Sequence, residues 1–213
     1  MTSNTYVTVF QEIFPPSTEI LYDPNENLIS GNTGGENSEC FLIRIHGLTQ
    51  MELVRLRYPN QFNCAMRGKD ILANIQNAAR ILGVKQIIVS DYTEYEVPDR
   101  EPICLWRYHI LIHGISWYNK YGYVSNNHED EVRHNAAILN SPLSDYSRFA
   151  EYQLFYQYFS PDDATMTVNR AMILLDELWK KQTTVDDDLY TLMQFLTLEP
   201  PIKYNNRRLI LHI

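Results

Sequence analysis

A chain of 213 residues, with 45% hydrophobic and 21% charged side chains, has globular composition and is long enough to bury a core, which excludes an intrinsically disordered chain. Its 26 acidic against 18 basic residues give a net charge of −8 with no basic stripe to offset it, so phosphate-driven nucleic-acid binding is not expected. No apolar run is long enough to cross a bilayer; residues 103–118 come closest, and Arg107, His109 and His113 interrupt them.

In chain order, TYVTVFQEIF alternates β-branched and aromatic residues and reads as a strand ended by Pro15 and Pro16. Residues 23–38 are turn-rich, with Gly34 and Gly35 adjacent, and read as a flexible loop. CFLIRI follows as a strand, and LTQMELVRLRYP as a short helix beginning near Thr49. RGKDILANIQNAARILGV is the clearest segment: Ile71, Ile75, Ala78, Ala79 and Leu82 share one helical face, and Gly83 supplies a C-cap. KQIIVSDY comes at once as a buried strand, and this helix–glycine–strand unit makes parallel strands plausible.

After a charged loop, EVPDREP, the spacing predicts a helix over 103–118 despite Gly114, with Trp117 and Tyr121 as its aromatic anchors. Gly122 then turns the chain toward an extended segment. HEDEVRHNAAIL, SDYSRFAEYQLFYQYF, SPDDATMTVNRAMILLDELWKKQ and VDDDLYTLMQFL all read as helices with acidic or Ser/Asp start signals. RRLILHI closes the chain as a short strand or docked tail. The fold class is therefore α+β, with a mixed α/β portion over 1–127 and a helical portion over 128–213 packed on it as one compact unit.

Cys40, Cys64 and Cys104 are odd in number and widely spaced, which argues against a disulfide framework and a thiolate zinc site, and favours a reducing compartment. The N-terminus lacks the basic start and apolar stretch of a secretory signal, so an intracellular location is expected. His109 and His113 stand at i and i+4, which is metal-ligand spacing, with His128 and His134 as further candidates. Ile110 occupies the place of the metalloprotease glutamate, and helix residues at a core boundary explain the pair better, so no metal is expected. Asp91 ends a buried strand, where α/β proteins place functional side chains, and Glu94 and Glu96 follow it. The competing reading is a turn-capping aspartate. Ser116 stands in GISWY and not in a nucleophile elbow, and no Walker loop is present. The acidic triplet Asp186, Asp187 and Asp188 reads as a helix start and not as a calcium loop.

The succession RGKDILANIQNAARILGVKQIIV, loop, helix, SWYNKYGYV resembles the second half of the GNAT acyltransferase fold, over residues 66–124. The resemblance implies that Arg67, Gly68 and Lys69 open a helix whose N–H groups cradle the pyrophosphate of acetyl-CoA. It also implies that Tyr118 protonates the departing thiolate and that Gly122 is the turn glycine, with Asp91 or Glu94 as base for an amine. The motif departs at two places: Asp70 and Leu72 stand where the superfamily has small residues. A carboxylate repels phosphate, and leucine adds bulk where closeness is needed. The chain also resembles uncharacterised proteins of large nucleocytoplasmic DNA viruses, in its IIVSD strand, its Gly-x-Ser-Trp-Tyr helix end and its Asn/Ile/Tyr-rich usage, with 15 tyrosines. The two likenesses imply a viral binding or structural protein of the host cytoplasm or virion. Its GNAT-like scaffold would lack acyl-CoA chemistry and cofactor, and it would dock a protein partner. The alternative is an active N-acyltransferase using acetyl-CoA with Tyr118 as general acid.

Overall fold

A computed structural model describes residues 3–32, 39–57, 64–91, 94–95, 97, 99–159, 166–182, 186–204 and 208–213. The Gly34–Gly35 stretch, Glu96 and the SPDDAT start of one expected helix lie outside the described residues. In chain order the elements are α1 (Ser3–Ile13), β1 (Glu19–Asp23), β2 (Leu28–Asn32), β3 (Glu39–His46), β4 (Gln50–Leu56), α2 (Gly68–Ile81), β5 (Gln86–Ser90), β6 (Glu94–Tyr95) and β7 (Ile103–Cys104). They continue with α3 (Leu105–His113), α4 (His128–Leu139), α5 (Ala150–Tyr158), α6 (Val168–Trp179), α7 (Asp187–Leu198) and β8 (Arg208–His212). Two 3-10 turns, Tyr118–Tyr121 and Leu143–Tyr146, link helices. The α+β class holds. The chain divides into two compact units, Met1–Ser90 with Arg208–Ile213, and Asp91–Arg207. That division falls at the end of β5 and not at the composition change near 127, and the last strand returns to the first unit.

The first unit is a six-stranded sheet in the order β1-β2-β3-β4-β5-β8. Among the described strands only β4 and β5 pair in parallel, and α2 is the crossover between them. Phe10 of α1 and Phe14, the residue after that helix, pack their rings on Phe41 of β3, Phe14 at 4.8 Å between centroids. Gly31 of β2 lies under that ring, where a Cβ would stand 2.1 Å from Phe41 carbons. The face α2 buries is the expected one, Ile71, Ile75, Ala78 and Ala79, joined by Leu72. Gly83, at φ +70°, ends the helix while Val84 N–H reaches back to the Ala79 carbonyl at 2.9 Å.

Two expectations fail here for one reason each. The first segment is a helix and not a strand: Tyr6, Val9, Phe10 and Phe14 are buried at helical spacing, and that stripe overrides the β preference of Thr and Val. Residues 50–56 form a strand and not a helix. Gly47, at φ +64°, turns the chain back on β3, and His46 pairs with Gln50, so Met51 and Leu53 point inward by alternation. The turn-rich stretch after Tyr22 also contains β2, paired with β1 and β3. The cysteine expectation is overturned as well: Cys40 and Cys64 form a disulfide, their Cα atoms 5.8 Å apart, because β3 and the approach to α2 are neighbours in space though 24 residues apart in sequence. Cys104 is free.

The second unit is helical, with one core cluster. Trp106, Ile110 and Leu111 of α3, Phe155 of α5, Val168, Met172 and Leu175 of α6, and Leu189, Leu192 and Leu196 of α7 are all buried in it. The start of α7 follows the expected chemistry, Asp186 accepting from Leu189 N–H at 2.9 Å, whereas α6 begins at Val168 with Thr167 as its cap, accepting from Arg170 N–H at 3.2 Å. The single long helix expected over 103–118 is instead nine residues long, because Gly114 adopts φ +80° as its C-cap and Asn169 Nδ2 takes the freed carbonyls of Leu111 and Ile112. Among the described residues no helix is long and apolar enough to cross a membrane.

Candidate functional site

The segment HGISWYNKYGYV is folded by its own polar residues. After Gly114 the chain makes a reciprocal turn: Ser116 N–H donates to Asn119 Oδ1 at 2.9 Å, Asn119 N–H to Ser116 Oγ at 3.4 Å, and Asn119 Nδ2 to the Tyr123 carbonyl at 2.7 Å. Gly122, at φ +86°, then reverses the chain. This geometry sends Tyr118 and Tyr123 inward, their rings edge to face at 5.9 Å. Trp117 and Tyr121, the anchors expected from the sequence, are only half-buried and pack on each other at 4.8 Å.

The inward side of this turn meets Asp91, the residue after β5, which is 1% exposed. Tyr204 OH lies 3.0 Å from Asp91 Oδ2 and 3.1 Å from Ser116 Oγ. A phenol has one proton, so Tyr204 donates to the carboxylate and accepts from the Ser116 hydroxyl. Burial, then the negative charge of Asp91, holds the protons of Tyr118 and Tyr204 on well above the ordinary tyrosine range. The arrangement is thus a buried carboxylate that takes the proton of one phenol, Tyr204, with a second protonated phenol, Tyr118, in its field.

Tyr204 reaches this point on a segment without helix or strand, fastened by side chains. Arg107 donates to the carbonyls of Leu198 at 2.8 Å and Pro200 at 2.6 Å. His134 Nε2 pairs with the Pro201 carbonyl at 2.9 Å. Asn135 mimics a strand, donating to the Lys203 carbonyl and accepting from its N–H, both at 2.9 Å. The Tyr204 ring stacks on Trp106 at 4.8 Å and 24°.

Of the residues expected from the sequence, Asp91 and Tyr118 come together in this cluster. Glu94 is exposed in β6. Arg67, Gly68 and Lys69 belong to the first unit, at the start of α2, where Arg67 Nε donates to Asp70 Oδ2 at 2.9 Å. Leu72 is fully buried in the core. His109 and His113 do meet, with ring centroids 4.5 Å apart. No group of three metal-ligating side chains gathers among the described residues. Burial, then Lys120 and His113, lowers His109 to about 4. Tyr204 and Asn135 were missed, since nothing local in the sequence ties a tyrosine to an aspartate 113 positions away. No protein-family model matches the chain, and comparison with curated proteins and with solved structures likewise returns no match.

Proposed function

We propose that the chain is a viral binding protein on a GNAT-like scaffold that lacks acyl-CoA chemistry and docks a protein partner. The observation that carries this reading is the Arg67–Asp70 ion pair at the start of α2. In the resembled superfamily that helix start receives a pyrophosphate. Here the carboxylate of Asp70 sits in the first turn and engages the arginine that would meet the phosphates, so the residues present do not fit the cofactor. The four antiparallel strands followed by a β4–α2–β5 parallel crossover support the scaffold likeness. The partner face is expected to be basic, because eighteen acidic against ten basic residues fall in the second unit.

Calorimetric titration of CoA and acetyl-CoA into the full chain tests the reading. No saturable heat is expected up to ~1 mM, and binding at micromolar concentration overturns it. One observation favours the alternative, an N-acyltransferase: Tyr118 and Asp91 share a buried cluster. A phenol held above the tyrosine range is, however, a weaker acid than a thiol of pKa ~8.5, so giving its proton to a thiolate runs uphill. Under that alternative Tyr118→Phe lowers acyl transfer sharply with the fold intact; under the reading adopted here there is no transfer to lose.

A further inference from the structure

We infer that Tyr204 is the built-in occupant of a phenol-binding site, and that Trp106, Asp91 and Ser116 accept a para-substituted phenol in its place when residues 198–204 lift. The three groups supply what a phenol needs. Trp106 offers a flat face at 4.8 Å, Asp91 Oδ2 an acceptor at 3.0 Å for the hydroxyl proton, and Ser116 a donor at 3.1 Å for the hydroxyl oxygen. An anionic ligand would be repelled by the carboxylate, and a purely apolar one would leave a buried charge without its donor. An incoming phenol instead replaces each bond one for one.

The occupant is also the part of the site best placed to leave. Asp91 and Ser116 are 1% and 0% exposed, whereas Tyr204 is only half-buried. It rides on a segment that contains Pro200 and Pro201, which have no N–H to give a sheet, and that segment is held by the side chains of Arg107, His134 and Asn135. Irregular, side-chain-fastened segments open at lower free energy than the helices beneath them. This inference concerns the second unit alone and does not depend on the acyl-CoA reading.

The test titrates p-cresol, and separately N-acetyltyrosinamide, into the wild-type chain and Tyr204→Ala, read by calorimetry and tryptophan fluorescence. Saturable binding of p-cresol to Tyr204→Ala is expected, weakened at least ~10-fold by adding Asp91→Asn. Wild type should bind ~10-fold or more weakly than Tyr204→Ala, because Tyr204 competes for the site. Binding of both probes points to a tyrosine carried by a partner, and p-cresol alone to a free phenol; either supports the site. Saturable binding to Tyr204→Ala with none to wild type at millimolar probe overturns the inference, because Tyr204 is then a permanent core residue. Should Tyr204→Ala fail to fold, hydrogen exchange in wild type decides. The amides of Ile202, Lys203 and Tyr204 are expected to exchange roughly 100-fold faster than those of α7, and equal rates overturn the proposal.

Discussion

The two units keep their charge in opposite ways. The first holds eight acidic and eight basic residues, while the second holds eighteen and ten and so carries the whole net charge of −8. In the first, ionic groups form pairs across neighbouring strands on a solvated surface, as with Arg44 and Glu52 or Arg55 and Glu39. The second has exposed pairs of its own, such as Arg133 and Asp130, but it also holds three buried carboxylates matched to specific donors. Asp91 takes Tyr204, Glu131 takes the Ser125 hydroxyl at 2.8 Å, and Asp176 takes Tyr108 and, at 2.6 Å, Lys180. The difference follows from architecture. A sheet satisfies its own backbone and can leave charges in water, whereas irregular connections between helices need side-chain acceptors to hold them. Substitutions at the exposed pairs of the first unit should therefore be nearly silent, and those at the buried carboxylates of the second costly.

The largest effect expected in the first unit is covalent. Replacing Cys40 and Cys64 together by alanine removes a cross-link spanning 24 residues, worth about 3.5 kcal/mol from loop entropy. Urea denaturation followed by far-UV circular dichroism should show that loss in oxidising buffer and none of it in reductant. A loss that persists in reductant would mean the two side chains matter as packing and not as a bond. In the second unit Asp91→Ala should cost about 2–3 kcal/mol, because it strands the part-buried hydroxyl of Tyr204 that donates to the carboxylate. All three tryptophans, Trp106, Trp117 and Trp179, lie in this unit, so their fluorescence reports its unfolding directly.

A subtler asymmetry concerns acid. His109 is held down to about 4, first by burial and then by the charges of Lys120 and His113, whereas an unfolded histidine titrates near 6.5. Between those values the unfolded chain binds a proton that the folded unit refuses. This group's contribution is therefore complete above about pH 6.5 and is lost as pH falls toward 4. His113 is lowered as well, so it acts in the same direction. The urea midpoint read by tryptophan fluorescence should decline from pH 7 to pH 4.5, and His109→Gln should flatten that decline. An unchanged slope would remove His109 from the cause.

How legible all this was in the sequence depends on the range of the interaction. The helix over Gly68–Ile81 and its glycine stop follow from spacing within a few turns, as do the acidic starts of α4 and α7. The first helix and the strand at Gln50–Leu56 were misread because both depend on distant partners, Phe41 in one case and the β3 hairpin in the other. Asp91 was legible as a strand-end carboxylate, but its donor was not. Tyr204 meets it only after four side chains have fastened a segment that carries no periodic signal of its own, Arg107, His134 and Asn135 on its backbone and Trp106 on its ring.

The smallest effect is the sharpest check on the contrast between the units. Arg55 Nη1 and Glu39 Oε1 are 2.6 Å apart, with 48% and 29% of their side-chain surface exposed, so water already solvates both charges. Coulomb attraction at high dielectric roughly offsets the entropy of holding two long side chains, and salt screens what is left. Arg55→Ala and Glu39→Ala should each change stability by no more than ~0.5 kcal/mol, with a coupling of the same small order. The second unit's Asp176 makes the matched control. Its carboxylate is largely buried and serves both Tyr108 and Lys180, so Asp176→Ala should exceed the whole Arg55–Glu39 cycle several-fold. If the two cost the same, burial does not set the value of a carboxylate in this chain, and the contrast between its two units is one of charge count alone.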